Sequence, residues 1–172
     1  MTSDVRHVLA RTPSILRALI EGAARSAVEF HEKPGAWSPR QILCHMAEAE
    51  ITDWMPRIEI ILGTNEDRRF TPFDREGGFA RYAGWDAAAV LNEFERLRNS
   101  NVTRLQQFDL TTAELARTGI HPEFGTVTLS QLLACWATHD LAHINQITRS
   151  LVRHWGPSIG PWRKYYSLLA QL

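Results

Sequence analysis

The chain has 172 residues, 44% of them hydrophobic and 22% charged, which suits one globular domain and excludes a disordered or membrane-embedded chain. Nineteen basic residues balance nineteen acidic ones, so the formal net charge is zero; a neutral chain lacks the basic footprint of a nucleic-acid or anionic-membrane binder. Two cysteines, Cys44 and Cys135, make no disulfide framework at this length.

No repeat, low-complexity tract or linker divides the chain, so residues 1–172 are read as a single domain. Asp4, Arg6, Arg11 and Arg17 interrupt the N-terminal stretch, which therefore forms no signal-peptide core. No apolar run approaches the roughly 20 residues of a membrane span, and a reducing cytoplasm is the expected compartment.

Apolar residues at spacings of three and four (Val5, Val8, Leu9, Ile15, Leu16, Leu19, Ile20) predict a first helix from about Ser3 to Val28. Ser38-Pro39-Arg40-Gln41 starts a second: Ser38 as N-cap, Pro39 at the first helical position, Gln41 closing a capping box. It should run to about Leu62 and stop at Gly63, kinked or divided by Pro56. Residues 63–85 are rich in charge, Gly and Pro and read as a long connection, a class of loop that is often functional. A third helix starts after Asp86 and runs to about Phe108, turning Val90, Leu91, Phe94, Leu97 and Val102 inward. Thr111–Ala116 suits one short helical turn, and TGIHPEFGTVT an extended turn. Thr128 and Gln131 box the start of a fourth helix, which reaches roughly Trp155 before Gly156 and Pro157, and WRKYYSLLAQL packs back as a last helical piece. With no convincing strand run, the expected fold is all-α: an antiparallel four-helix bundle with a crossover connection between helices 2 and 3.

Seven histidines are present, and three stand out. His139 and His143 are four apart on the fourth helix, which projects both imidazoles from one face, the spacing with which one helix gives two nitrogens to one ion. The same face carries Leu132, Cys135, Trp136 and Ile147, a core-facing stripe on which two imidazoles are costly unless something satisfies them. His45 lies on the second helix in a stripe with Ile42, Ala49 and Thr52, all expected to face inward, and is the candidate third ligand. Three imidazoles around a divalent ion leave a position open for water or substrate, the mark of a catalytic rather than a structural site. The competing reading is that these are hydrogen-bonded core histidines of a dimerising scaffold. His7, His31, His121 and His154 have no such partners and read as surface or loop residues.

The segment from Trp37 to Glu48 (WSPRQILCHMAE) resembles the start of the second helix of the DinB-like superfamily. Thr128–Leu133 with the His139–Ile147 run resembles its fourth helix, Trp85, Phe94, Leu97 and Arg98 fit its third, and HPEFGTVTL resembles the loop before the fourth. The resemblance covers roughly Trp37 to Ile147. It implies a four-helix bundle with a three-histidine metal site, matched here by His45, His139 and His143. Relatives include metal-dependent hydrolases, S-transferases and isomerases that use a low-molecular-weight thiol, and many with no known reaction. The family's link to DNA-damage induction finds no echo in this neutral chain, and no nucleic-acid partner is expected.

A tris-imidazole ion (Zn, Ni, Mn or Fe) either brings the ionisation of water toward neutrality or binds a thiol as thiolate. Hydrolysis or thiol S-transfer on a small molecule would follow, the alternative being a non-catalytic metal- or ligand-binding stress protein. Asp140 and Glu48 are the candidate proton acceptors: Asp140 stands where metalloproteases carry a glutamate but is one methylene shorter and is also suited to pairing with an arginine, and Glu48 is also placed to orient an imidazole. Gln146 is placed to hydrogen-bond a ligand or simply to pack, and Cys135 reads as a soft ligand or an inert buried thiol. Trp54, Trp85, Trp136 and Tyr82 are candidate pocket walls, and Arg68, Arg69, Arg75 and Arg81 candidate receivers of a carboxylate. Apolar residues outside the core leave room for a homodimer.

Overall fold

The computed structural model describes residues 2–169, and the tail residues Ala170 to Leu172 fall outside them. Helix α1 spans Thr2–Ile20 and α2 Arg25–Val28. The single helix expected to Val28 is cut at Gly22, whose φ of +74° suits a residue without a Cβ. Helix α3 (Pro39–Thr52) starts as expected, Ser38 accepting from the Gln41 N–H and Gln41 reaching back to Ser38. Pro56 divides the second long helix: its ring clashes with the carbonyl four residues earlier, at Thr52, so α3 ends there and α4 runs Trp54–Leu62.

The connection that follows holds a short helix, α5 (Gly77–Arg81), pressed onto α3. Asp86 caps α6 (Ala87–Gln106) by accepting from the Ala89 N–H, and Thr111 caps α7 (Thr112–Ala116). The segment read as an extended turn is a two-stranded antiparallel hairpin, β1 (Thr118–His121) and β2 (Gly125–Thr128). Two bonds from β1 to residues 68–70 tie it to the long connection. Each strand has only four residues, too short for an alternating pattern to stand out. Helix α8 (Leu129–Trp155) carries the expected capping box of Thr128 and Gln131, and short 3₁₀ turns between Gly156 and Leu169 follow it. Among the described residues, no helix is long and apolar enough to cross a membrane.

The four long helical units form the bundle, with α1 against α6 and α8, and α3 against α6 and α8. Its core has two ends. Val5, Leu9, Ile58, Ile61, Val102, Leu105, Leu132 and Trp136 fill one. Leu16, Ile20, Ile42, Leu43, Val90, Phe94 and Ile147 fill the other. Helix α4 finishes at the first end and α6 starts at the second, so residues 63–85 travel the length of the bundle.

Between the two ends sits a buried polar layer. Arg98, 1% exposed, binds both carboxylate oxygens of Asp140, lies 2.7 Å from Glu50 Oε1 and donates to the Leu9 carbonyl at 3.1 Å. That carbonyl is free because Pro13, four residues on inside α1, has no N–H. Thr12 donates to Asp140 Oδ2 at 2.6 Å, while Asn101 and the Trp136 indole donate to Glu50 at 3.0 and 3.2 Å. Burial alone would raise the Asp140 carboxyl, but Arg98 and the hydrogen bonds outweigh it and hold the group below its usual range.

Two outcomes follow for urea denaturation. Arg98→Met strands two buried carboxylates without a counter-charge and should cost about 3–5 kcal/mol. Gly78→Ala places a Cβ into the Cys44 carbonyl, forces α5 off α3 and should cost about 1–3 kcal/mol.

Candidate metal centre

Three imidazoles converge between α3 and α8. One ring nitrogen of each of His45, His139 and His143 lies within 4.8 Å of the others, and ring centroids are 4.3–5.1 Å apart. The hydrogen bonds assign two tautomers. His45 Nδ1 lies 2.9 Å from the Arg75 carbonyl, an acceptor only, so Nδ1 carries the proton and Nε2 a lone pair. His143 Nδ1 likewise donates to Gln146 Oε1 at 3.0 Å, leaving Nε2 bare.

His139 is different. Its Nε2 is 2.9 Å from His45 Nε2, and a hydrogen bond there requires the proton on His139 Nε2. Its Nδ1 is then a buried lone pair without a partner, with Asp140 Oδ1 3.9 Å away. A cation held by the three rings would remove the conflict: His139 would carry its proton on Nδ1, on the side of the Asp140 carboxylate, and offer its other nitrogen as a third lone pair. The donor set, three imidazole nitrogens, suits Zn, Ni, Mn or Fe.

The site is walled by aromatic rings: Trp37 and Phe73 lie 4.9 and 5.4 Å from His45, and Trp54 meets His139 edge-on at 5.1 Å. This burial disfavours imidazolium and lowers His45 to about 4, with His139 adding to it, and His143 to about 3, with both neighbouring histidines adding to it. At neutral pH both rings are in the form that binds metal.

A cavity of about 490 Å³ opens onto the three rings. Its wall includes Asp53, Arg57, Phe73, Arg75, His121 and Cys135. Sequence reasoning passed over Asp53. It stands at the break that Pro56 forces, is 4% exposed and pairs with Arg57 at 2.7 Å. Burial pushes its carboxyl up, against the pull of the Arg57 guanidinium. The helix break was legible from Pro56; that it turns Asp53 into the cavity was not.

The other expectations divide. Asp140 is engaged by Arg98 and Thr12, and Glu48 is bound by Arg81 through both oxygens. Neither is among the residues lining the cavity. Glu48 does not orient His45, whose Nδ1 the Arg75 carbonyl already occupies. Thr52, expected inward, is exposed because the helix ends at it. Cys135 is exposed on the cavity wall rather than buried and inert. Trp136 stacks behind Trp54, whereas Tyr82 and Trp85 pack against each other away from the cavity. Of the loop arginines, Arg68 binds the Ile61 and Gly63 carbonyls, Arg69 binds Asp67 and Arg81 binds Glu48. Arg75 alone of the four lines the cavity, its guanidinium over Trp37.

The model of the DinB superfamily matches residues 9–147. A curated protein of Oceanobacillus iheyensis named "Putative metal-dependent hydrolase" is 23% identical over 137 residues, covering 79% of this chain and 77% of that protein. YfiT from Bacillus subtilis, described as a probable metal-dependent hydrolase with an unusual four-helix bundle topology, superposes with a TM-score of 0.74 at 23% identity. That likeness spans 90% of this chain and 87% of the other, and shows that the two share a fold.

The lowered imidazoles set a pH window for the metal-free protein. Unfolded histidines take up protons below about 6.5, and folded His45 and His143 resist until about 4 and about 3. Stability should therefore fall as pH drops from about 6.5 toward 3. Urea midpoints across that range should fall less steeply in a His45→Gln/His143→Gln double variant than in wild type.

Proposed function

The chain belongs to the DinB superfamily, and from that premise and the three converging imidazoles we propose that it is a metal-dependent hydrolase of small molecules whose single divalent transition-metal ion is held by His45, His139 and His143. The observation that carries this reading is the buried, partnerless Nδ1 of His139, which a cation at Nε2 puts right. The hydrolase name of the Oceanobacillus relative supports the reaction class.

When bound, the ion supplies Lewis acidity and brings the ionisation of water toward neutrality. The protein's residues do the rest. The Arg75 carbonyl and Gln146 lock the tautomers of His45 and His143. The ionised Asp140 carboxylate, 3.9 Å from His139 Nδ1, favours the proton on that nitrogen, so it acts behind a ligand rather than on substrate. Asp53, its carboxyl raised by burial, accepts the proton released from the attacking water, the role first assigned to Asp140 or Glu48. Trp37, Trp54 and Phe73 exclude bulk water, which strengthens each polar contact inside.

Transfer of a low-molecular-weight thiol is the second reading. It is favoured by Arg75, which has no carboxylate partner among the described residues and stands at the cavity to receive an acidic thiol. Product formation that depends on added thiol separates the two.

Elemental analysis should find about one equivalent of a transition metal in wild type, lost in His45→Ala, His139→Ala and His143→Ala. Asp53→Asn should keep the ion and lose about 100-fold or more in turnover on an ester and amide panel. A wild type that carries no metal and takes up neither zinc nor nickel overturns the reading. Full turnover in Asp53→Asn removes that residue's role alone.

A further inference from the structure

The hairpin brings a fourth histidine to the cavity, on the wall formed by the β1–β2 turn rather than by the bundle. His121 closes β1 immediately before Pro122, and both residues line the cavity that the three clustered imidazoles also line. Its ring is held on several sides. Phe124 stacks on it at 4.6 Å and 12°, and Phe70 meets it edge-on at 6.3 Å. The strand is anchored in turn: β1 pairs with β2, while the Phe70 N–H donates to the Ile120 carbonyl at 2.9 Å and the Ile120 N–H to Arg68 at 2.8 Å.

The turn also settles the tautomer. His121 Nδ1 accepts from two backbone donors, the N–H groups of Glu123 at 3.2 Å and Phe124 at 3.3 Å. Nδ1 must therefore hold a lone pair, and in the neutral ring the proton sits on Nε2. The Nδ1 edge is spent on the hairpin's own turn, and Nε2–H is the donor left on a side chain that lines the cavity. Burial, with the Arg57 charge nearby, lowers the imidazole below its usual value and favours the neutral ring. Elsewhere on the polar wall Asp53 and Arg57 bind each other, which leaves Arg75 as the other cationic group that lines the cavity.

We propose that His121 is a substrate-contacting residue of this cavity, its Nε2–H donating a hydrogen bond to an oxygen that the substrate carries away from the reacting bond. The cavity then selects small molecules with two oxygen functions, one presented to the three-histidine centre and a carbonyl or carboxylate presented to the hairpin. A neutral imidazole in this role polarises its acceptor and exchanges no proton with it. The inference rests on the metal reading above and adds to it a specificity residue on a different structural element.

The test compares zinc-loaded wild type, His121→Phe and His121→Gln. Binding of acetate is measured calorimetrically beside malonate, succinate and glutarate. In wild type the best dicarboxylate should bind about tenfold tighter than acetate, the scale of one hydrogen bond to a charged acceptor. His121→Phe, which keeps a flat ring but has no donor, should retain one zinc and lose that preference. His121→Gln should recover part of it through its amide N–H. Independently of zinc, long-range ¹H–¹⁵N spectra at pH 7 should show His121 as the Nε2–H tautomer. A preference that survives in His121→Phe with zinc retained assigns the second carboxylate to Arg75 and overturns the proposal, as does an Nδ1–H tautomer. Wild type that holds no zinc removes the metal reading and this inference together, and zinc analysis registers that outcome separately.

Discussion

The Arg98 guanidinium lies at the middle of the bundle, where it bonds to three of the other helices at once: the Leu9 carbonyl on α1, Glu50 on α3 and Asp140 on α8. A buried ion pair is weak evidence of net stability, because desolvation offsets much of its attraction. What it does supply is register. A helix that slid by one turn would leave a charge stranded in an apolar core. The site depends on that register. Glu50 is five residues past His45, Asp140 directly follows His139, and Trp136, which donates to Glu50, stacks on the Trp54 that flanks His139. The polar layer and the histidine cluster are thus neighbouring storeys of one frame, and Asp140 belongs to both.

Much of this frame was legible before any coordinates. Capping is local chemistry, so Ser38, Asp86 and Thr128 marked three helix starts within a residue. The four-residue spacing of His139 and His143 follows from helical geometry. The inward stripe of the second helix offered His45 as the third ligand, the resemblance to the DinB-like superfamily matched the same three positions, and the fold brings the three rings together. What stayed hidden depends on contacts between distant segments. Arg98 matched a pattern, but nothing in its neighbourhood tells that Pro13, 85 positions earlier, frees a carbonyl for it. The four-residue strands of the hairpin are stabilised by each other and by residues 68–70, so His121 looked like a loop residue. Asp53 owes its place to a helix break, and Cys135 its exposure to a cavity that only the assembled bundle creates.

Energetically the site combines two opposed demands. Apolar walls make charged imidazole unfavourable, which lowers His45 and His143 and keeps their lone pairs available. The same walls make an unpaired nitrogen costly, and His139 has one. Neutral ligands, locked tautomers and a carboxylate behind the third ring are what a divalent cation would need. In a stable hydrogen-bonded core, by contrast, that nitrogen would have a partner.

The central claim, that three histidine nitrogens hold one metal ion, is tested most directly by X-ray absorption on protein loaded with one equivalent of zinc. The account predicts three imidazole scatterers at about 2.0–2.1 Å, with their multiple-scattering signature, and no sulfur. A sulfur shell at about 2.3 Å, which would place Cys135 on the ion, or a shell of oxygens without imidazole would contradict it.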